Sequence, residues 1–252
     1  MKVHFILRSL IFVLIISCKP AYEIQKKELL EYVITDTSNA SLDSSINAMI
    51  IPYREKVVGA MSEILVKSES VMDRGTPESR LGNFVSDACL KESAKVFYPS
   101  DGRQADFAFF NNGGLRKSMP MGKITRGDVF ELMPFENKLV VLTINGSIVK
   151  KIFNFIASKD GGPVSGVRFQ IKDHEAVNIT IQNESLDTLK IYKALTSDYL
   201  ANGGDSYDFL INEPREDVNL KVRDALIQNL TNAGREGIKI NVNLDGRISN
   251  AQ

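Results

Sequence analysis

Three loops in this sequence combine glycines with polar side chains, and each could bind an anion or a sugar. Residues 111–116 are NNGGLR, so the glycines let a ligand approach the backbone and Arg116 adds a fixed positive charge. Residues 199–205 are YLANGGD and place an aromatic ring and a carboxylate on either side of a tight turn. Residues 78–83 are ESRLGN and precede a predicted helix, where free N–H groups favour an anion and Arg80 can add a two-pronged contact.

A fourth loop, residues 134–137 (PFEN), adds Phe135 as a second aromatic. The four loops together supply two rings, two arginines and an aspartate, which suits a nucleotide. A base stacked on an aromatic ring contributes about 1–3 kcal/mol, and a charge-assisted contact to phosphate about 1.5–3 kcal/mol. Asp205 would accept hydrogen bonds from ribose hydroxyls. Taken singly, such residues are more often structural, because strand-end aromatics usually pack in the core and isolated arginines are usually solvated.

Periodicity in the sequence indicates the elements that position these loops. The apolar run 107–110 (FAFF) predicts a buried strand before the first glycine loop, and Thr125 with Asp128 predicts a capped short helix. A helix is predicted from Ile46 to Val57, kinked or interrupted at Pro52. Further predictions are a helix containing residues 81–88, a strand at 138–144 that is broken at 145–146, a helix at 147–157, strands at 167–171, 177–181 and 189–196, a loop at 197–206, and a helix at 216–233.

The order of these motifs resembles that of the C-terminal domain of the 5'-nucleotidase family. The resemblance implies an α+β (mixed α/β) domain, with a mixed sheet flanked by helices, over residues 46–249. The segments that carry it are RLGN at 80–83 with DA at 87–88, NGGLR at 112–116, GKIT at 122–125 with Asp128, PF at 134–135, YLANGGDSY at 199–207, VRDALI at 222–227 and GRI at 246–248.

The resemblance also implies a role for each candidate residue. In that family two aromatic side chains sandwich the nucleobase, and they correspond to Phe135 and Tyr199 here. Tyr199 stands where Phe is common, so stacking is retained while contacts at the ring edge differ. The aspartate of the turn, Asp205, holds the ribose. Arg80 and Arg116 match the arginines that contact phosphate, and Asn111 and Asn137 lie where the family contacts the base or nearby groups. Gly113 is a candidate because a glycine lets the backbone approach the ligand.

Full-length members of the family hydrolyse phosphate esters with two divalent metals, which a separate metallophosphoesterase domain holds. These 252 residues contain two histidines, His4 and His174, and His4 lies in a predicted export signal. One histidine cannot supply the imidazole ligands of such a site, so we expect no cofactor on this chain and no catalytic residue. His174 lies in a polar hairpin signal and Cys89 beside an apolar helix face, and both are interpreted as structural.

The amino-terminal residues predict a lipoprotein anchor. Lys2 and Arg8 precede an apolar run too short to span a bilayer, and Ser17-Cys18 resembles the bacterial lipobox, in which the cysteine is lipidated. The alternative is an ordinary cleaved signal. We therefore expect a signal peptide at 1–17, a tether at 18–45 and a location at the cell envelope, on the outer membrane rather than the inner one because Lys19 is not acidic.

Charge excludes one class of partner. Removing residues 1–17 leaves 29 basic against 31 acidic residues, a net charge of −2, which does not suit nucleic acid. Two functions stay open. The chain is either the nucleotide-recognition subunit of a 5'-nucleotidase-type phosphohydrolase, completed by a separately encoded metallophosphoesterase chain, or a non-catalytic lipoprotein that binds nucleosides or nucleotides. A third hypothesis is that the chain is a scaffold without a ligand.

Overall fold

A computed structural model describes residues 44–251 of the chain. The predicted signal peptide, Cys18 and nearly all of the tether lie outside these residues. The first described element is helix α1, Ser44–Met61. It runs through Pro52, so of the two predicted effects, a kink or an interruption, the interruption is wrong. Proline removes one hydrogen bond to the preceding turn, and because no residue of α1 is buried, water can satisfy the freed carbonyl.

Residues 48–252 form one compact unit built around a five-stranded mixed sheet. The strands of this sheet, in spatial order, are β10 (Arg215–Lys221), β4 (Lys138–Asn145), β9 (Ile191–Ser197), β2 (Phe107–Phe109) and β5 (Val164–Ser165). Two smaller sheets accompany it. One pairs β1 (Ile64–Ser68) with β3 (Gly122–Thr125), and the other orders β11 (Ile248–Asn250), β6 (Val167–Lys172), β7 (Glu175–Ile181) and β8 (Glu184–Ser185).

The central sheet separates two apolar cores. Side chains alternate along its strands, so Phe107 and Phe109 enter one core while Ala108 enters the other. The core that contains Ala108 is closed by β1, β3 and three helices: α2 (Arg80–Val96), α3 (Arg126–Leu132) and α6 (Val222–Arg235). The core that contains Phe107 is closed by the four-stranded sheet, α4 (Gly146–Ser158) and the single-turn α5 (Asp198–Ala201).

Side-chain caps fix where the helices begin. The predicted capping box is present, since Thr125 Oγ1 accepts from the Asp128 N–H at 3.2 Å while Asp128 Oδ2 accepts from the Thr125 N–H at 2.8 Å. Asn145 ends β4 and caps α4 by accepting from the Ile148 N–H at 3.0 Å. The predicted break at 145–146 is therefore a strand-to-helix junction. These caps confirm both predicted helix starts.

The fold class is confirmed as α+β, with mixed sheets flanked by the six helices of the described residues. The predicted helix over 216–233 is wrong in its first third, because residues 215–221 form strand β10. Val218 and Leu220 are buried there and alternate with more exposed neighbours, which is the period of a strand. The predicted loop at 197–206 contains α5 and a 3-10 turn, Gly204–Ser206.

Three other sequence expectations concern single residues and the membrane. His174 is exposed in the turn between β6 and β7, as predicted, with Nδ1 3.5 Å from Asp160 Oδ1. Cys89 is fully buried, also as predicted, and burial followed by the charge of Glu92 raises the pKa of its thiol well above the usual range. Within residues 44–251, no helix combines the length and apolar character needed to cross a bilayer.

Candidate functional site

The topology of the central sheet brings three candidate loops to one edge. β2 and β9 are parallel, and β4 is antiparallel to β9 with Leu139 opposite Ser197. The carboxyl ends of β2 and β9 and the amino end of β4 therefore point the same way. The loop after β2 carries Asn111 and Arg116, the loop before β4 carries Phe135, and Tyr199 lies in the single-turn helix α5 that directly follows β9.

These loops enclose a cavity of about 270 Å³. Phe135 and Tyr199 are 40% and 44% exposed, and in the described part of the chain neither ring pairs with another aromatic ring. Two partly exposed rings in one cavity could stack on a planar ligand. The residues that line it are Asn111, Gly113, Gly114, Arg116, Phe135, Asn137, Tyr199 and Asp205.

The turn after β9 is folded around the Tyr199 ring. A Cβ atom added to Gly204 would lie 2.5 Å from ring atoms of Tyr199, so the backbone of the turn packs closely against this ring. Gly203 (φ 89°) and Asp205 (φ 52°) both adopt left-handed backbone conformations, which glycine and aspartate tolerate better than most residues. The turn therefore supports the ring and places the Asp205 carboxylate beside it.

The Asp205 carboxylate links two of the loops. Its Oδ1 accepts from the Tyr199 hydroxyl at 2.7 Å, and its Oδ2 accepts from Asn111 Nδ2 at 2.5 Å. The hydrogen bond to Asp205 also raises the pKa of the Tyr199 phenol, so the phenol remains a donor at neutral pH. The carboxylate is thus held from both sides by neutral donors.

Arg116 provides the positive charge of the cavity. Its backbone N–H donates to the Leu132 carbonyl at 2.8 Å, and its Nη1 donates to the Gly113 carbonyl at 3.3 Å. Within residues 44–251 no carboxylate pairs with this exposed guanidinium, so its charge is available to an anionic ligand.

Arg223, on the first turn of α6, holds the loop that carries Phe135. The Arg223 side chain is buried, and its Nη1 donates to the carbonyls of Phe135 at 3.2 Å and Met133 at 3.4 Å. Its guanidinium pairs with Glu136 and lies 4.2 Å from the centroid of the Phe130 ring. Sequence reasoning gave Arg223 no role beyond the motif, since nothing local shows that its side chain reaches a loop some ninety residues earlier.

Arg80 is the candidate that the structure leaves outside this cavity. It is exposed on the first turn of α2, and its side chain forms no hydrogen bond or ion pair with the described residues. The neighbouring Glu78 joins two segments of the domain. Its carboxylate accepts from Asn83 Nδ2 at 2.6 Å and from the N–H groups of Asp245 and Gly246 at 2.8 and 2.9 Å. The other seven candidates all line the cavity.

A second cavity of about 360 Å³ shares Asn111, Gly113 and Asp205 with the first. Although it is larger, two of its three aromatic side chains pack against each other, with the rings of Phe155 and Tyr207 in edge contact at 4.6 Å, and the third, Phe110, is buried. The smaller cavity contains two partly exposed rings and an arginine that forms no ion pair with the described residues, and we therefore take it as the candidate site. Within the described residues no three His, Cys, Asp or Glu side chains cluster as metal ligands would.

The sequence model of the family described as 5'-nucleotidase, C-terminal domain, matches residues 57–211, more than half of the chain. This chain belongs to the 5'-nucleotidase C-terminal domain family. Among its relatives, the 5'-nucleotidase of Vibrio cholerae is 27% identical over 188 residues, which are 71% of this chain and 32% of that protein. Protein UshA of Yersinia enterocolitica is 37% identical over 108 residues, 41% of this chain and 20% of that protein.

Solved structures agree with the family assignment. The 5'-nucleotidase precursor of Thermus thermophilus superimposes with a TM-score of 0.67 and 25% identity, covering 82% of this chain and 43% of that chain. The NAD nucleotidase of Haemophilus influenzae shares the fold, with a TM-score of 0.62 and 21% identity over 83% of this chain and 42% of that one. The 5'-nucleotidase C-terminal domain of this chain spans about a third of the length of the Vibrio relative.

Proposed function

We propose that this chain binds a nucleotide and supplies base, ribose and phosphate recognition to a 5'-nucleotidase-type phosphohydrolase. One observation carries the proposal: in the part of the chain that the structure describes, two partly exposed aromatic rings, a hydrogen-bonded carboxylate and an arginine without an ion-pair partner line a single cavity. Phe135 and Tyr199 would stack on the base, Asp205 would accept from the ribose and Arg116 would contact the phosphate. The reaction would contribute to nucleotide catabolism at the cell envelope.

Catalysis then requires groups outside these 252 residues. One histidine lies among the described residues, and it is exposed in a turn remote in sequence from the candidate loops. A divalent metal pair would activate water and neutralise the leaving group, and we propose that a separate metallophosphoesterase chain holds it. The side chains of this chain would bind and orient the nucleotide, with the metal pair belonging to the partner.

Binding is tested by calorimetric titration with adenosine and AMP. Phe135→Ala removes one stacking face, worth about 1–3 kcal/mol, so affinity for both ligands is expected to fall about 5- to 150-fold. Tyr98→Ala is a matched control, because Tyr98 is 89% exposed and lies outside the cavity. An adenosine affinity equal to the wild type in Phe135→Ala would show that the base binds elsewhere.

The phosphate contact is tested by comparing the same two ligands in Arg116→Ala. AMP binding is expected to weaken about 10- to 150-fold, because a charge-assisted hydrogen bond contributes about 1.5–3 kcal/mol. Adenosine, which has no phosphate, should bind as it does to the wild type. Arg54→Ala, on exposed α1, is the control for loss of a positive charge. Equal loss for both ligands would contradict the assigned role.

Catalysis in trans is tested by mixing this chain with a secreted metallophosphoesterase that lacks its own nucleotide-binding domain. With AMP and Mn²⁺, the mixture is expected to release phosphate faster than either chain alone. No gain in a mixture whose recognition chain binds AMP would remove the subunit proposal. That result would leave the second candidate function, a non-catalytic nucleoside- or nucleotide-binding lipoprotein.

The lipid anchor is a further part of the proposal. Ser17-Cys18 follows an apolar run, which supports lipidation of Cys18 and attachment to the membrane. Cells fed labelled palmitate should label the wild-type chain and leave Cys18→Ser unlabelled. Label that persists in Cys18→Ser would place the lipid on another residue, and an unlabelled wild-type chain would exclude the anchor.

A further inference from the structure

Tyr199 presents two separate chemical groups to the candidate site. One is the ring, which packs against the backbone at Gly204 and remains 44% exposed. The other is the hydroxyl, which donates to Asp205 Oδ1 at 2.7 Å. Stacking on a base requires only the ring, so it does not account for the hydroxyl.

The hydroxyl determines what the Asp205 carboxylate can still accept. An ionised carboxylate has about four lone-pair sites on two oxygens. The Tyr199 hydroxyl occupies one site on Oδ1, and Asn111 Nδ2 occupies one on Oδ2 at 2.5 Å. One accepting site on each oxygen remains, and two adjacent oxygens with one free site each match a pair of vicinal hydroxyls.

The backbone around Asp205 also favours a fixed carboxylate. Asp205 is in a left-handed conformation, and its own N–H lies 3.3 Å from the Tyr199 oxygen, so the same hydroxyl contacts both ends of the residue. Asp205 is exposed, and an exposed carboxylate without such contacts would sample several rotamers. Holding it in one rotamer before a ligand arrives reduces the entropy lost on binding.

We propose that the Tyr199 hydroxyl is a specificity-determining positioning group, which orients Asp205 so that the site selects a ribose with both its 2' and 3' hydroxyls over a deoxyribose. This inference rests on the proposed nucleotide-binding function and names the group that determines which sugar the site selects. Tyr199 acts on the sugar through Asp205 and on the base through its ring.

Tyr199→Phe separates the two roles, because it retains the ring and removes one oxygen. Affinities for adenosine, 2'-deoxyadenosine and 3'-deoxyadenosine are measured by calorimetry in the wild type and the variant. The variant is expected to bind adenosine about 5- to 10-fold more weakly, in the range of the net contribution of a single hydrogen bond, and the deoxynucleosides within about twofold of the wild type. The preference for ribose therefore falls by the same factor.

A double-mutant cycle distinguishes positioning from general packing. In an Asp205→Asn background, adding Tyr199→Phe should leave the ribose preference unchanged, because asparagine has only one acceptor oxygen and can no longer accept from both ribose hydroxyls. If Tyr199→Phe weakens all three nucleosides equally, or weakens none, the inference is overturned while nucleotide binding stands. A wild-type chain that binds no adenosine, or Phe135→Ala that binds it normally, overturns the proposed function itself.

Discussion

Replacing Arg223 by methionine tests how the structure holds the loop that carries Phe135. The Arg223 side chain is buried beneath residues 133–136, and it donates to the carbonyls of Met133 and Phe135 at 3.4 and 3.2 Å. Methionine fills much of the same volume but donates no hydrogen bond. The substitution therefore leaves two loop carbonyls without their donor and removes the cation over the Phe130 ring, which lies at 4.2 Å.

The expected loss of stability follows from these contacts. Hydrogen bonds from a charged donor contribute about 1.5–3 kcal/mol each, and the two long distances favour the lower end. The contact with the Phe130 ring adds about 0.5–2 kcal/mol. Arg223 Nε is buried without a partner among the described residues, so its removal relieves one unmet donor and offsets about 1–3 kcal/mol. We expect a net loss of about 2–3 kcal/mol.

Thermal unfolding followed by circular dichroism measures this loss. For a domain of about 200 residues, 1 kcal/mol corresponds to about 2–4 °C, so the midpoint should fall by about 4–12 °C. Glu136→Gln removes the ion pair while leaving Arg223 bonded to both carbonyls, and it should move the midpoint much less because the carboxylate is exposed. Equal shifts in the two variants, or no shift in Arg223→Met, would refute the view that carbonyl contacts hold this loop.

Three other predictions concern the same residues and the core. Gly204→Ala would place a methyl 2.5 Å from the Tyr199 ring, so the ring must move and adenosine affinity should fall at least tenfold by calorimetry, with circular dichroism confirming the fold. Lys221 and Arg223 lower the pKa of Glu136 to about 2, so its stabilising contribution is complete above about pH 4.5 and is lost as pH falls towards 2. The difference in thermal unfolding midpoint between the wild type and Glu136→Gln should therefore shrink between pH 4.5 and pH 2. A difference that stays constant over this range would contradict the assigned pairing. In Cys18→Ser, Cys89 is the one remaining thiol and should resist iodoacetamide until denaturant is added, because burial keeps it protonated.

Local signals in the sequence predicted part of this fold correctly. Helix caps need only neighbours a few residues apart, so the pair of Thr125 and Asp128 could be identified from spacing alone. Asn145 was predicted only to break the strand, and the structure shows that it also caps α4. The apolar run at 107–110 likewise predicted a buried strand, although both of its faces are buried and periodicity could not show which core each side chain enters. The segment that forms strand β10 was predicted as a helix, because its alternation of buried and exposed side chains is short. Pairing of this segment with β4 is what makes it a strand.

The candidate site was likewise only partly predictable from the sequence. Its residue types were visible in loops of glycine, asparagine and aromatic residues, and seven of the eight candidates line one cavity. Arg80 lies outside it, because a helix start fixes where a backbone amide points but leaves a long exposed side chain undirected. The role of Arg223 became evident only from a contact between segments some ninety residues apart, and that of the Tyr199 hydroxyl only from the folded turn that brings Asp205 to it.

The sequence by itself determined the chemical groups, the family and the short-range structure, since these depend on residue type and on neighbours within one or two turns. The tertiary structure decided which groups meet. The parallel pairing of β2 with β9 and the antiparallel pairing with β4 place three loops at one sheet edge, and a buried arginine from α6 fixes one of them. Contacts between residues some ninety positions apart depend on how whole elements pack, and no local pattern encodes that.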